Sequence, residues 1–262
     1  MSKGDSAKIR IGPLTTLEYF ERCVDLQIMV WGYSDRDVVP RRVFVIAARI
    51  GGQVIGAFDG DTLVGFAMAL PGYRDGQAYL HSHMLAVLPA YRNAGIGRGL
   101  KLAQRDDALL RGFDLMEWTF DPLEIRNAYL NIHRLGAIVR RYQPDFYGPS
   151  SSPLQAGLPT DRLYAEWWLR SGRVASLLSG HPESVEVLER ITVPGQMSAW
   201  KQSAGVRDMV LRVQQRNREA LQAAFAGGLA VIDFCREEDG SGCFHLGRWQ
   251  SPQRDRRGHA YP

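Results

Sequence analysis

The sequence predicts a mixed α/β fold with an α/β appendage at its C-terminal end. One observation is a set of three strand-like segments, residues 53–59, 62–70 and 78–88, joined by short turns as in an antiparallel meander. The other is the switch after residue 88 to a glycine-bearing loop, a helix, and then further strands and helices. The meander argues against a series of parallel βαβ units.

The remaining elements follow from apolar periodicity and from the turn residues between them. Before the meander the pattern predicts a strand over 8–11, a helix over 15–31 and a short helix over 43–49. After it, the predicted elements are a helix from the glycine loop to about 111, a strand over 115–120, a helix over 125–135, a strand over 137–142, a loop over 143–159 and a strand over 161–169.

Beyond residue 171 the chain reads as an extension. The pattern predicts a strand over 185–193, a helix over about 206–225, and a hairpin of residues 229–235 and 243–249. The predicted domains are therefore 1–170 (main domain), 171–249 (helix-plus-hairpin extension) and 250–262 (basic, mobile tail). The apolar face of the long helix is too large to leave in water, so the extension packs on the main domain or mediates a homodimer.

Composition and charge exclude several classes of protein. The 262 residues are 45% hydrophobic and 23% charged, which excludes disordered and fibrous chains. The longest apolar stretch, Leu63 to Leu70, is eight residues, against the roughly 20 that a membrane helix needs. The N-terminus is polar and shows no signal peptide. We therefore expect a soluble, cytoplasmic protein with no membrane partner.

The net charge of +4 does not predict a nucleic-acid partner. The last fifteen residues carry +3 of it, so the rest of the chain has no excess from which to build a basic face. Three cysteines are too few for a disulfide framework in a secreted protein. Cys235 and Cys243 flank a turn and could face each other across the hairpin, where we expect them only to pack in the core. No metal site is expected.

The glycine-bearing loop from Pro89 to Gly99 predicts a phosphate-binding site. Glycines let backbone N–H groups converge on an anion, and a helix N-terminus adds unpaired N–H groups and partial positive charge. A Walker-type loop would need a Lys-Ser/Thr pair, which is absent. A dinucleotide loop would need a glycine at Leu100 and a parallel βαβ context, although Glu117 lies near the spacing of a ribose ligand. A simple strand-to-helix turn is the other alternative.

The segment Arg92-Asn-Ala-Gly95-Ile-Gly97 resembles the Arg/Gln-x-x-Gly-x-Gly/Ala signature of the GNAT N-acetyltransferase superfamily. The preceding strand ends in Leu-x-Val-x-Pro, as in that family, and the resemblance covers about residues 7–170. It implies a GNAT-like acyl-CoA N-acyltransferase fold in which acetyl-CoA, or another acyl-CoA, lies between the fourth and fifth strands as co-substrate. It implies direct transfer of the acyl group to an amine of a small molecule or a protein.

The resemblance also implies the residues that bind the co-substrate. The backbone of Leu85 and Val87 would hold the pantetheine arm. Asn127 matches an asparagine that faces CoA from the following helix. The loop amides that would hold the pyrophosphate belong to Arg92, Asn93, Ala94, Gly95, Ile96, Gly97 and Arg98.

The catalytic residues implied by the resemblance depart from the family pattern. His83 stands where the family often has a glutamate base, and strict alternation would place it on the face of Leu85 and Val87. A histidine titrates near neutrality and can act as a base, although His83 could instead be a packed or surface residue. Ile132 stands where the family usually has a tyrosine acid, so Tyr129, one turn earlier, is the expected substitute.

Three questions stay open at this stage. Tyr142 and Tyr147 are further candidates for the proton donor, and a thiolate can also leave without one. Because the usual tyrosine is absent, a non-catalytic acyl-CoA-binding sensor or scaffold is the alternative function. The acceptor is unknown, and the resemblance places its recognition at the first helices, with Trp31, Tyr33 and Phe44, and at the 143–159 loop.

Overall fold

The computed structural model describes residues 9–34 and 36–250, which divide into two compact units at Phe113/Asp114. Residues 251–262, most of the predicted basic tail, lie outside the described part. The elements of the first unit are β1 (Arg10–Pro13), α1 (Leu17–Trp31), α2 (Arg41–Arg49), β2 (Gln53–Asp59), β3 (Thr62–Arg74), β4 (Gln77–Val87) and α3 (Ile96–Leu110).

The first unit is built on an antiparallel sheet in the order β1-β2-β3-β4. Helices α1 and α2 cover one face, where Phe20, Phe44 and Phe66 form part of a buried cluster. Helix α3 covers the other face with Ile96 and Leu100. The predicted meander is therefore confirmed, with a helical layer on each side of it.

The second unit contains the remaining strands and helices that the structure describes. They are β5 (Leu115–Phe120), α4 (Ile125–Ala128), β6 (Ile138–Gln143), β7 (Arg162–Trp168), α5 (Gly172–Leu178), β8 (Glu189–Val193), α6 (Met197–Lys201), α7 (Arg207–Ala226), β9 (Leu229–Arg236) and β10 (Gly242–Arg248). Helix α4 continues directly into a π-helical segment, Tyr129–Arg134.

The strands of the second unit run in the order β5-β7-β6-β9-β10-β8, with antiparallel neighbours. Strand β9 of the extension pairs with β6 through Val231 and Val139, and α7 packs against β6, β8 and β9. Within this unit the extension therefore continues the sheet. The predicted domain boundary at residue 170 stays a prediction.

The apolar face of α7 forms a buried stripe that also contains polar residues. Its buried residues are Val210, Val213, Gln214, Asn217, Leu221 and Ala224, at helical spacing. Met209 is exposed because it lies one position off this stripe. Polar Gln214 and Asn217 are buried within it and donate hydrogen bonds to backbone carbonyls of Pro159 and Thr192.

Most predicted elements are found, and the differences have local causes. Strand β1 lies two residues later than predicted and includes Pro13, which an edge strand tolerates because its N–H need not pair. Helices α5 and α6 have 7 and 5 residues, too short for a periodic signal, and were not predicted. Among the described residues, no helix is both long and apolar enough to span a bilayer.

Candidate active site

Strand β4 carries a β-bulge at His83. On β3, Met68 pairs with Met84 and the next residue, Ala69, pairs with Ser82, so His83 has no partner opposite it. A bulge places one extra residue in one strand and bends that strand locally. The histidine that we proposed as the base is thus the bulged residue of β4.

The bulge also changes which side chains share a face. Leu85 and Val87 pack in the cluster on the α3 side, whereas Met84 belongs to the cluster on the α1 and α2 side. Ser82 faces α3 as well, since it bonds to residues of that helix. Alternation is interrupted between Ser82 and Leu85, so the face on which His83 lies no longer follows from its spacing to Leu85 and Val87.

His83 pairs instead with the other histidine of this strand. The ring centroids of His81 and His83 lie 6.2 Å apart. His83 is exposed, and within the described residues its ring makes no hydrogen bond or ion pair. Desolvation by the surrounding protein lowers its pKa below the ordinary 6.5. The imidazole is therefore neutral, and able to accept a proton, at neutral pH.

A buried polar network lies beneath the bulge, and sequence reasoning missed it. Lys101 Nζ on α3 donates to Ser82 Oγ at 2.7 Å, and Ser82 Oγ donates to Gln104 Oε1 at 2.9 Å. All three side chains are buried, and burial lowers the pKa of Lys101 well below its ordinary value. Because Ser82 adjoins His83, this network ties the bulge to α3. A lysine and a glutamine three residues apart on a helix gave the only sequence signal.

The loop after β4 holds its backbone in two left-handed turns. Pro89–Tyr91 forms a 3₁₀ turn, and the Tyr91 hydroxyl donates to Asp59 Oδ2 at 2.8 Å, which anchors the loop to β2. Asn93 and Gly95 have φ of 65° and 79°. A Cβ at Gly95 would meet no atom within 4 Å, so the space beside this backbone is open.

The N-terminus of α3 has free donors for an anion. Gly95 is its N-cap and no side chain caps the helix, so the first backbone N–H groups lack intrahelical partners. The Nε of Arg98 is buried and has no hydrogen-bond partner among the described residues. Arg92 is exposed beside the loop, with its Nε 3.4 Å from the Val87 carbonyl. These donors and the open space suit a pyrophosphate.

The other predicted residues lie in the second unit. Asn127 is exposed on α4. Tyr129 begins the π-helical segment, and its ring stacks on His133 at 4.7 Å while Arg236 Cζ lies 4.3 Å from the ring centroid. The Tyr129 hydroxyl makes no hydrogen bond within the part of the chain described. Ile132 is fully buried.

The two alternative tyrosines differ in accessibility. Tyr142 is buried and its hydroxyl donates to Asp161, so burial and this bond raise its pKa. Such a phenol is a poor proton donor. Tyr147 is exposed, and its hydroxyl lies 3.1 Å from Thr119 Oγ1 at the end of β5. Tyr147 therefore remains chemically available as a donor.

The aromatic residues expected to recognise the acceptor differ in their exposure to solvent. Phe44 is fully buried between Phe20 and Phe66, with ring centroids 6.3 and 5.7 Å away, so it belongs to the core. Its assignment to acceptor recognition is wrong. Trp31 is half-buried and its ring lies 5.5 Å from that of Tyr33, and both rings remain accessible.

Comparison with known proteins identifies the class. Residues 20–129 match the family model described as the acetyltransferase (GNAT) family. This span runs from α1 to the first residue after α4 and includes the loop and the α3 N-terminus. Residues 20–129 are therefore a GNAT acetyltransferase domain, as the loop motif indicated. No curated protein matches the sequence significantly.

Solved structures confirm the fold. The ribosomal-protein-S18-alanine N-acetyltransferase of Escherichia coli is 15% identical with a TM-score of 0.51, covering 63% of this chain and 96% of that chain. The protein yncA of Salmonella typhimurium, designated an acetyltransferase and solved with acetyl-CoA, is 16% identical with a TM-score of 0.51, covering 63% and 95%. A protein of Acinetobacter baylyi with the same designation is 17% identical with a TM-score of 0.52, covering 66% and 97%. At these identities the likeness establishes the mixed α/β GNAT fold.

Proposed function

We propose that this protein is an acyl-CoA-dependent N-acyltransferase of the cytoplasm, with acetyl-CoA as the expected co-substrate. The observation that carries the proposal is the open left-handed turn at Gly95 leading into the uncapped N-terminus of α3, with the unpartnered Nε of Arg98 beside it. A pyrophosphate needs this set of convergent donors. The GNAT domain match supports a CoA thioester as its source.

In this proposal the strand and the loop bind separate parts of the co-substrate. The backbone of Leu85 and Val87 holds the pantetheine arm, and Asn127 contributes from α4. The pyrophosphate is held by the amides and side chains of Arg92, Asn93, Ala94, Gly95, Ile96, Gly97 and Arg98. Residues 92–95 are exposed, as direct contact with an anion requires.

The proposed chemistry is direct transfer from a thioester to an amine. The amine nitrogen forms a bond to the acyl carbon, the C–S bond breaks, and the sulfur leaves with its electron pair. His83 takes the proton that the nitrogen loses, directly or through one water. Its lowered pKa, and the absence of a hydrogen bond from its ring to the residues described, support this role.

The departing sulfur takes up a proton, and we propose Tyr129 as its donor. The hydroxyl of Tyr129 has no hydrogen-bond partner in the described residues, and Arg236 Cζ lies 4.3 Å from the centroid of its ring, in a cation–π contact. Tyr147 is the competing donor. Comparing Tyr129→Phe with Tyr147→Phe separates the two, because only loss of the true donor lowers kcat while CoA affinity is retained.

Two measurements on the intact chain test the proposal. CoA and acetyl-CoA should raise the melting temperature, since a ligand that binds only the folded state stabilises it. Acetyl-CoA with a panel of amines, from small polyamines to peptide N-termini, should release free thiol in an amine-dependent reaction. A ligand at about 100 times its Kd stabilises the folded state by about 2.7 kcal/mol. Absence of any thermal shift at such a concentration of CoA would contradict the assignment.

One observation favours a second function, a non-catalytic acyl-CoA sensor. Ile132, at the position of the usual tyrosine, is fully buried, and the ring of Tyr129 is held between His133 and Arg236. A sensor would show the thermal shift without amine-dependent thiol release. An enzyme shows both.

A further inference from the structure

One face of the C-terminal hairpin gathers thiol, imidazole and carboxylate groups. Cys235 on β9 lies directly opposite Cys243 on β10, and Asp233 lies opposite His245. Positions two apart on a strand point to the same face, so these four side chains share one face. The cysteines face each other as the sequence predicted, but they do not merely pack.

The candidate ligand atoms lie close enough together to share one metal ion. The sulfurs of Cys235 and Cys243 and a ring nitrogen of His245 all lie within 4.8 Å of one another. Cys235 Sγ lies 3.4 Å from His245 Nε2 and 3.0 Å from Glu237 Oε1. Zinc binds sulfur at about 2.3 Å and nitrogen at about 2.0 Å, which separates tetrahedral ligands by about 3.5–3.8 Å.

The second ring nitrogen of the histidine faces a carboxylate. His245 Nδ1 lies 3.8 Å from Asp233 Oδ2, and the other oxygen of Asp233 lies 3.2 Å from His133 Nδ1. Histidines that bind zinc nearly always present their other N–H to such an acceptor, which fixes the tautomer and aims the free nitrogen at the metal. A proton on Nδ1, on the side of Asp233, would leave the lone pair on Nε2, which lies 3.4 Å from Cys235 Sγ.

We propose that Cys235, Cys243 and His245 bind a structural zinc ion, with Glu237 as the fourth ligand. Cys243 is buried, His245 and Cys235 are partly buried and Glu237 is exposed at the mouth, so the ion enters from the side of the turn. On binding, both thiols lose their protons to solvent and the histidine remains neutral. Soft thiolate and imidazole donors favour zinc over magnesium or calcium.

Cobalt substitution tests this proposal without any assay of activity. Full-length protein purified under reducing conditions should bind about one Zn²⁺ per chain by elemental analysis, the content of a single closed site. Replacement with Co²⁺ should produce a thiolate-to-cobalt charge-transfer band. Cys235→Ser and His245→Gln should each abolish the band, whereas Cys23→Ser, at the buried cysteine of α1, should leave it unchanged.

The supporting carboxylate gives a graded control. Asp233→Asn should weaken Co²⁺ affinity by about 10–100-fold while retaining the band, as expected of a group that orients a ligand. Circular dichroism checks that each variant is folded. The test replaces Cys235 and His245, which are only partly buried, because polar side chains at these two positions leave the hairpin core intact. Cys243 is not replaced because it is buried in that core.

Three results would overturn the proposal. One is reduced wild-type protein that shows no charge-transfer band with Co²⁺. Another is a band that persists in folded Cys235→Ser or His245→Gln. The third is an air-formed Cys235–Cys243 disulfide in a chain that, once reduced, takes up no metal, which would make the pair a redox site.

Discussion

At the scale of single residues, His83 is the group on which turnover should depend. His83→Ala should lower kcat by about 10²–10⁴-fold, the usual value of a positioned base, with CoA affinity unchanged. The physical reason is that the imidazole on the bulge is exposed and makes no hydrogen bond to any residue that the structure describes. Steady-state kinetics and a CoA thermal shift measure the two effects.

His81→Ala is the matched comparison, since His81 lies on the same strand with its ring 6.2 Å away. It should retain most of the turnover. If His81→Ala loses activity and His83→Ala does not, the base has been assigned to the wrong histidine. Loss of CoA binding in His83→Ala would assign that residue a structural role instead.

The pH profile follows from the lowered pKa of His83. Only the neutral imidazole accepts a proton, so kcat/KM should rise with pH and level off above the pKa. Since desolvation lowers that pKa, the apparent value should fall below the ordinary 6.5. Rates across pH 5 to 8 in His83→Ala, where this limb should vanish, separate it from titration of the amine acceptor.

Residue types alone identified the loop but not the geometry of the base. Arg92, Gly95 and Gly97 form a recognisable motif because an anion cradle restricts residue type at fixed spacing. A bulge has no comparable signature, since it depends on how β4 pairs with Met68 and Ala69 of β3. Strict alternation from Leu85 and Val87 therefore does not give the face on which His83 lies.

At the scale of elements, the turn into α3 should determine CoA binding. Gly95→Val should abolish the thermal shift given by CoA, because a branched side chain occupies the open space beside the loop amides. Gly112→Val at the other end of α3 is a close control, since it has the same φ of 79° and equally open surroundings. Both should lose similar stability, and Gly112→Val should keep the shift. Loss of the shift in both would indicate general damage to α3.

Helix α7 should depend on one buried ion pair. Arg218 holds the fully buried carboxylate of Asp161 with two hydrogen bonds, at 2.8 and 2.9 Å. Arg218→Met leaves that charge uncompensated, so the free energy of unfolding should fall by about 3 kcal/mol. Urea denaturation, followed by a spectroscopic signal from the second unit, measures the free energy of unfolding of the variant and of the unmodified protein.

Arg22→Met is the surface counterpart, because Arg22 pairs with Glu18 in solvent at 2.6 Å. Its effect on unfolding should be about 0.5 kcal/mol or less. Equal losses in the two variants would show that the Arg218 pair contributes no more than an exposed one.

Strands and helices were predicted best where turn residues mark both of their ends. Strands β2 and β5 begin and end where the sequence placed them. Short α5 and α6 lack a full period of apolar positions, so nothing in the pattern separated them from loops. The sequence placed Cys235 and Cys243 across the hairpin, but the proximity of His245 to both required the register of β9 with β10.

At the scale of the whole molecule, the extension should resist proteolytic release. Strand β9 pairs with β6, and α7 packs on that same strand, so cleavage near residue 175 would expose buried apolar surface. Limited trypsin digestion followed by mass spectrometry should yield no stable fragment of residues 1 to about 175. Rapid release of an intact, equally stable fragment would instead support a separate domain on a linker.

The fold class could be predicted from sequence because one motif and a meander restrict it to few architectures. The continuation of the sheet beyond β6 could not, since it depends on a single long-range pairing of Val139 with Val231.

The π-helical segment at Tyr129–Arg134 has a consequence for which side chains share a face. A π-turn spans i to i+5 and so contains one more residue than an α-turn, which rotates positions three apart further away from each other than on an α-helix. The choice of Tyr129 as the substitute one turn before Ile132 assumed α-helical spacing. On this segment the Tyr129 ring stacks instead on His133, four residues later, and Ile132 is buried away from it.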